Sequence, residues 1–168
     1  MPIVLAEHDP GWSAVFEAEA ARLAAALGDV ALRIEHVGST AVAGLAAKPV
    51  IDIQLSVADP GAIDAYRAPL EALGYTFATV PIPYFHRPAR WPHTHHVHVR
   101  RVGSTEESRP LAFRDWLRGH PEDRAAYEAL KRELARETDA ESAAGRARYS
   151  EAKTGFIREI ERRSGLVA

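Results

Sequence analysis

Eight consecutive residues, Val50-Ile51-Asp52-Ile53-Gln54-Leu55-Ser56-Val57, constrain this chain more than any other segment. Ile51, Ile53, Leu55 and Val57 fall on one side of an extended backbone, and Asp52, Gln54 and Ser56 on the other. Strict alternation of this kind reads as a strand with one face on an apolar core. It also sets a carboxylate, Asp52, inside an apolar segment, where burial is costly unless the charge has a partner. Any fold for this chain must supply both a core for the odd positions and partners for Asp52.

The flanking patterns supply the other elements. Apolar residues at helical spacing (Val15, Phe16, Leu23, Leu27) predict a helix over residues 11–27, stopped by Gly28-Asp29. Residues 31–37 read as a strand with Leu32, Ile34 and His36 on one face and Arg33 and Glu35 on the other. Residues 41–46 read as a turn or two of helix, and residues 62–73 as an amphipathic helix ended by Gly74. A strand is expected over 75–80, an irregular proline-rich segment over 81–92, and a strand over 93–102. The last strand puts Thr94, His96, His98 and Arg100 on one face and His95, Val97 and Val99 on the other. The rest reads as helices: one capped at Ser104 or Thr105 and ending near Gly119-His120, one starting at Pro121, and one over 140–164. This order predicts an α/β (α+β) fold, a mixed sheet with packed helices and a C-terminal helical segment, rather than a doubly wound sheet. Its 168 residues suit one domain over residues 1–168, with no repeat or linker.

Composition excludes several classes of function. With no cysteine there is no disulfide, thiolate metal site or cysteine nucleophile. A formal charge of −2 gives no global basic field, so nucleic acid and anionic membrane are not expected partners. No run approaches a membrane span, and the first residues lack a signal-peptide pattern, so a cytoplasmic location is expected. Lys48, Lys131 and Lys153 are the only lysines, against many arginines.

Four constellations carry candidate chemistry. Gly38-Ser39-Thr40, between a strand and a short helix, suits close approach of a phosphate, or simply caps the turn. It is not a P-loop: five residues, where that motif has four, separate Gly38 from Gly44, and Leu45 follows. Lys48 and Asp52 lie one strand further on, suited to neutralising phosphate and holding Mg²⁺, unless Asp52 merely pairs with an arginine. His96 and His98 share a strand face; beside Asp52 they would complete a site for Zn²⁺, Mn²⁺ or Fe²⁺, act as acid, base or phosphate donor, or simply bond backbone carbonyls on a polar face covered by helices. Arg114 and Lys153, on the C-terminal helices, are candidate phosphate clamps. Tyr84, Phe85, Arg87, Arg90 and Trp91, in the segment over 81–92, are placed to stack on a base or pack on the protein.

These residues sit in a pattern that resembles the GrpB-like family. The resemblance rests on the runs HVGSTAVAGLAAKPVIDI from His36 to Ile53, THHVHV from Thr94 to Val99 and LAFRDWLRGHP from Leu111 to Pro121. YEALK from Tyr127 to Lys131 and YSEAKTGFI from Tyr149 to Ile157 follow in order. It implies a nucleotidyltransferase-like fold, in which Gly-Ser precedes two acids one residue apart on the next strand and a third acid on a later one. Gly38-Ser39 and Asp52 match; Gln54 replaces the second acid, and His96 or His98 stands near the third. The spacing from Lys48 to Asp52 is similar to that of alarmone synthetases. Members also occur fused to dephospho-CoA kinase, but this chain carries no P-loop.

Three functions follow as expectations. The first is a metal-dependent nucleotidyl- or phosphoryl-transferase: Gly38, Ser39, Thr40, Lys48, Arg114 and Lys153 hold a nucleotide, and Asp52, His96 and His98 supply metal ligands and catalysis. The second is a module that binds a nucleotide or coenzyme without catalysis, with Gln54 marking a lost acid. The third is a histidine-based metal hydrolase. The oligomeric state is not legible.

Overall fold

A computed structural model describes residues 3–79, 82–139 and 141–166. Helix α1 (Gly11–Leu27) opens the chain, its Gly11 amide held by the Asp9 carboxylate at 2.8 Å. Strands β1 (Arg33–Val37) and β2 (Ile51–Val57) pair antiparallel, with a single 3-10 turn at Ser39–Ala41 between them. Helix α2 (Arg67–Ala72) follows, then β3 (Thr76–Thr79), β4 (Tyr84–Arg87) and β5 (His95–Arg101). The sheet order is β1-β2-β5-β4-β3, and only the central pair, β2 with β5, is parallel. The remainder is helical: α3 (Thr105–Gly119), α4 (Pro121–Glu137), α5 (Ala143–Ala152) and α6 (Thr154–Arg163).

The odd positions of β2 do what their pattern requires. Ile51, Ile53, Leu55 and Val57 are buried with Val97 and Val99 of β5 and Phe85 of β4, under Trp12, Phe16, Leu23 and Leu27 of α1 and Leu70 of α2. Burial of such side chains contributes about 1.5–3 kcal/mol each. The opposite face meets the C-terminal helices. Helix α3 starts there with a reciprocal cap: Ser104 accepts from the Glu107 amide at 3.2 Å, and Glu107 accepts from the Gly103 amide at 2.6 Å. A second apolar cluster joins Val42 and Leu45 to Leu117 of α3 and Tyr127 of α4.

Several expected boundaries shift. Residues 41–46 form no helix beyond the 3-10 turn that starts at Ser39. The helix expected over 62–73 divides into a 3-10 turn at Ile63–Ala65 and the short α2. The supposedly irregular 81–92 segment contains β4, because Tyr84 and Phe85 find partners on both β3 and β5. The long last helix is two, interrupted at Lys153. The expected ends of one strand at Val80 and of that helix at Ala140 lie outside the described residues.

Candidate functional site

Parallel pairing of β2 with β5 sets Asp52 opposite His96 and Gln54 opposite His98. All four even-numbered side chains therefore project to the face away from α1. Asp52 Oδ1 lies 3.1 Å from His96 Nδ1 and 3.1 Å from His98 Nε2. Burial alone would raise the Asp52 pKa, but the hydrogen bonds and charge of the two imidazoles outweigh it and hold the carboxyl well below the usual carboxylate range. One candidate ligand atom from each of the three residues falls within 4.8 Å of the others. Gly38, at φ +72°, sits so close that a Cβ there would lie 2.7 Å from Asp52 Oδ2. Only glycine fits that position.

Asp52, His96 and His98 form the floor of a cavity of about 600 Å³, closed on its far side by α4 and α5. All three lysines of the chain reach it. Lys48 and Lys153 lie on the Tyr149 ring, their Nζ atoms 4.1 and 4.3 Å from its centroid. Burial pushes both ammonium groups down to about 8, with Lys48 repelling Lys153 and Asp52 partly compensating. Lys131 is pushed furthest, to about 7, by burial and then by Lys153. Its Nζ contacts Ser39 Oγ at 3.1 Å and the Ala46 carbonyl. Trp91, His93 and Arg146 line the same cavity, with Arg146 4.6 Å from the Trp91 ring centroid. His93 Nδ1 lies 3.1 Å from His96 Nε2, and burial, followed by His86, His96 and Arg146, lowers it to about 4.

Of the residues singled out from sequence, Asp52, His96, His98, Ser39, Thr40, Lys48 and Lys153 line this cavity. Thr40 is already occupied: its hydroxyl pairs with His36 Nε2 at 2.9 Å and reaches the Val50 carbonyl at 3.2 Å. His36 stacks on Phe16 on the core face, and burial pushes it down to about 4. Arg114 does not enter the cavity. It bonds Glu35 and the His36 carbonyl, both at 2.9 Å, and borders a separate pocket of about 220 Å³ with Gly38. Gln54 is sealed beneath α3, its amide donating to the Glu107 carbonyl at 3.0 Å, so position 54 contributes nothing to the cavity. Of the loop residues considered for base stacking, Tyr84 and Trp91 face the cavity. Phe85 is core, Arg87 is bound to Glu19 and Arg90 is exposed.

Sequence reasoning gave no role to Lys131, Arg146 or Tyr149. Lysine scarcity was the available signal: in a chain that otherwise uses arginine, each of the three positions bears on one cavity.

The family model described as GrpB protein matches residues 2–163. The chain belongs to the GrpB family. The crystal structure of the conserved protein GrpB from Enterococcus faecalis superposes with a TM-score of 0.81 at 34% identity, covering 96% of each chain. A UPF0157 protein of Halalkalibacterium halodurans is 42% identical over 96% of this chain and 82% of its own length. A protein of Mycolicibacterium paratuberculosis named dephospho-CoA kinase is 36% identical over 97% of this GrpB-family chain, but only 46% of the relative is covered. The mixed five-stranded sheet thus carries a GrpB fold, and among the described residues no helix is long and apolar enough to cross a membrane.

Proposed function

We propose that the chain is a transferase acting on a phosphorylated small molecule, a nucleotide or a coenzyme-like compound, held in the Asp52 cavity. The observation that carries this reading is the convergence of all three lysines on a cavity whose floor is a hydrogen-bonded carboxylate. One buried and two half-buried amines, with Lys153 beside both of the others, are costly to bring together without an anion nearby. Lys48 and Lys153, both in contact with the Tyr149 ring, are the groups that meet phosphate charge, and Arg146 and Trp91 flank the aromatic part of the ligand.

The donor set also fits a metal. Asp52, His96 and His98 would hold it, and one carboxylate with two imidazoles suits Mn²⁺ or Zn²⁺ better than Mg²⁺, which prefers oxygens. Such an ion would supply charge stabilisation to a transferring phosphoryl group. Here the chain's own task is to fix the ligand carboxylate through Gly38 and to orient both imidazoles from one strand.

A second reading, a binding module without catalysis, draws on one observation: among the described residues Asp52 is the only carboxylate lining the cavity. Thermal shift with ATP and with coenzyme A, each with and without Mn²⁺, tests both. A ligand at about 100 times its Kd adds ~2.7 kcal/mol of stability. A shift with no product formed from any acceptor selects the binding module. No shift with either compound, at any metal concentration, removes both readings.

A further inference from the structure

Lys131 is set apart from the other two lysines by what surrounds it. It is 2% exposed, and among the described residues it makes no ion pair with a carboxylate. Glu128, one turn back on α4, is engaged by the Ala46 amide at 2.8 Å and by Arg132 at 2.8 Å. The groups that face Lys131 are Lys153 and Arg132, which disfavour its charge, and Glu128, which favours it less than burial opposes it. A neutral amine has two N–H donors and one lone pair. The Ala46 carbonyl takes one donor; the ammonium also donates to Ser39 Oγ at 3.1 Å, and once the amine is neutral the same contact lets Ser39 give its proton to the lone pair. The Tyr127 ring, its centroid 5.1 Å from Lys131 Nζ, packs against the amine from a second side. Ser39 lines the large cavity and is partly open to it.

We infer that Ser39 is a nucleophile whose proton Lys131 accepts, so that transfer passes through a covalent intermediate on Ser39. This is the serine–lysine form of a nucleophile and base in hydrogen-bond contact. The donor class, a phosphoanhydride, rests on the reading above. Lys131 Nζ takes the hydroxyl proton, and the Oγ electron pair forms a bond to phosphorus. The bond from that phosphorus to the bridging oxygen breaks, and its electron pair leaves with the rest of the donor as a phosphate anion. An acceptor hydroxyl then displaces Oγ from phosphorus. Lys131 returns its proton to Oγ, and the acceptor's proton passes to solvent.

The test needs no knowledge of the natural donor. An alkyl fluorophosphonate presents tetrahedral phosphorus with fluoride as the leaving group, and peptide mass mapping locates the adduct. The expected result is one adduct at Ser39, absent in Ser39→Ala and slowed about 100-fold in Lys131→Met, the lower end of what a general base supplies. Lys131→Arg carries a fixed charge and cannot accept the proton, and is expected to be as slow as Lys131→Met. Should the Lys131 variants fail to fold, the wild-type rate decides between about pH 5.5 and 9. It must rise and then level off near neutrality, whereas a rate proportional to hydroxide throughout means no base is present. No adduct at Ser39, or labelling indifferent to Lys131, overturns the inference. Nucleotide binding with an inert Ser39 would leave the transferase reading standing. A labelled Ser39 with no nucleotide binding would do the reverse.

Discussion

The two faces of β2 and β5 are made of alternate residues on the same strands, yet they are finished in opposite ways. The face under α1 and α2 is apolar from Ile51 to Val57 and across to Val97 and Val99, with the buried His95 at its end. The face under the C-terminal helices is polar throughout, and it divides along its length. At Gln54 and Ser56, α3 lies directly on the sheet and both side chains are fully buried. Two residues earlier, at Asp52 and His96, the helices stand away and leave the cavity. A core face tolerates no gap because every void forfeits contacts. A polar face needs partners, and where helices do not supply them a ligand can. The difference locates function at the one end of the polar face that α3 does not cover.

The largest way to disturb this comparison is to empty the apolar face. Leu55→Ala, at a site with 0% exposure, is expected to cost ~2–5 kcal/mol. Urea denaturation measures it, and calorimetry should find the affinity of the folded protein for Mn²⁺ unchanged. A cost below about 1 kcal/mol would mean that the core is not shared along β2 as described. Gly38→Ala attacks the polar face instead. Its positive φ and the 2.7 Å approach of a new Cβ to Asp52 Oδ2 predict a loss of ~1–3 kcal/mol. Because the clash falls on Asp52, Mn²⁺ affinity should fall with it, by about tenfold or more. A variant that loses stability and keeps its metal affinity would separate Gly38 from the site.

Arg114→Ala sharpens the contrast between cavity and support. Arg114 ties α3 to Glu35 and the His36 carbonyl, so its loss should cost about 1 kcal/mol, much of the ion-pair energy being screened at its partly exposed partner. Affinity for ATP should not change, and a large loss of affinity would return Arg114 to the phosphate clamp assigned to it from sequence. That assignment shows where legibility ends. Alternation along 50–57 and 93–102 is a local property of strands, so it disclosed both faces and put Asp52, His96 and His98 together once the strands were neighbours. Ser39 and Lys48 were legible as polar residues beside strand and turn breaks, and Lys153 as a scarce lysine on a C-terminal helix. Arg114 and Lys131 are different: each lies on an amphipathic helix, and which cation meets a cavity depends on helix docking. Docking turned Arg114 toward Glu35 and Lys131 toward Ser39. Residues 84–87 formed β4 for a related reason, since pairing with two other strands overrode a proline-rich context.

The smallest expected effect is a pH dependence confined to the polar face. In metal-free protein, Lys48 and Lys153 titrate near 8 in the folded state, well below the value of about 10.4 for an exposed lysine. Between those values the unfolded chain binds more protons than the folded one, so these two groups make the protein more stable as pH rises through that window. Anion binding must run the other way, because it uses the charged forms. Sulfate keeps a constant charge over this range, so its affinity should fall several-fold between about pH 7 and 9 as the lysines lose their protons. Lys48 faces Asp52 and Arg146, and Lys153 faces Lys48 and Asp52, so replacing Lys153 with Met should flatten part of the profile by removing one titrating group and the repulsion on its neighbour. The apolar face has no lysine, and the cost of Leu55→Ala should therefore be the same at both ends of the window. Opposite slopes for stability and sulfate affinity would tie both to the lysines, whereas a sulfate affinity that does not change with pH would mean the anion is held elsewhere.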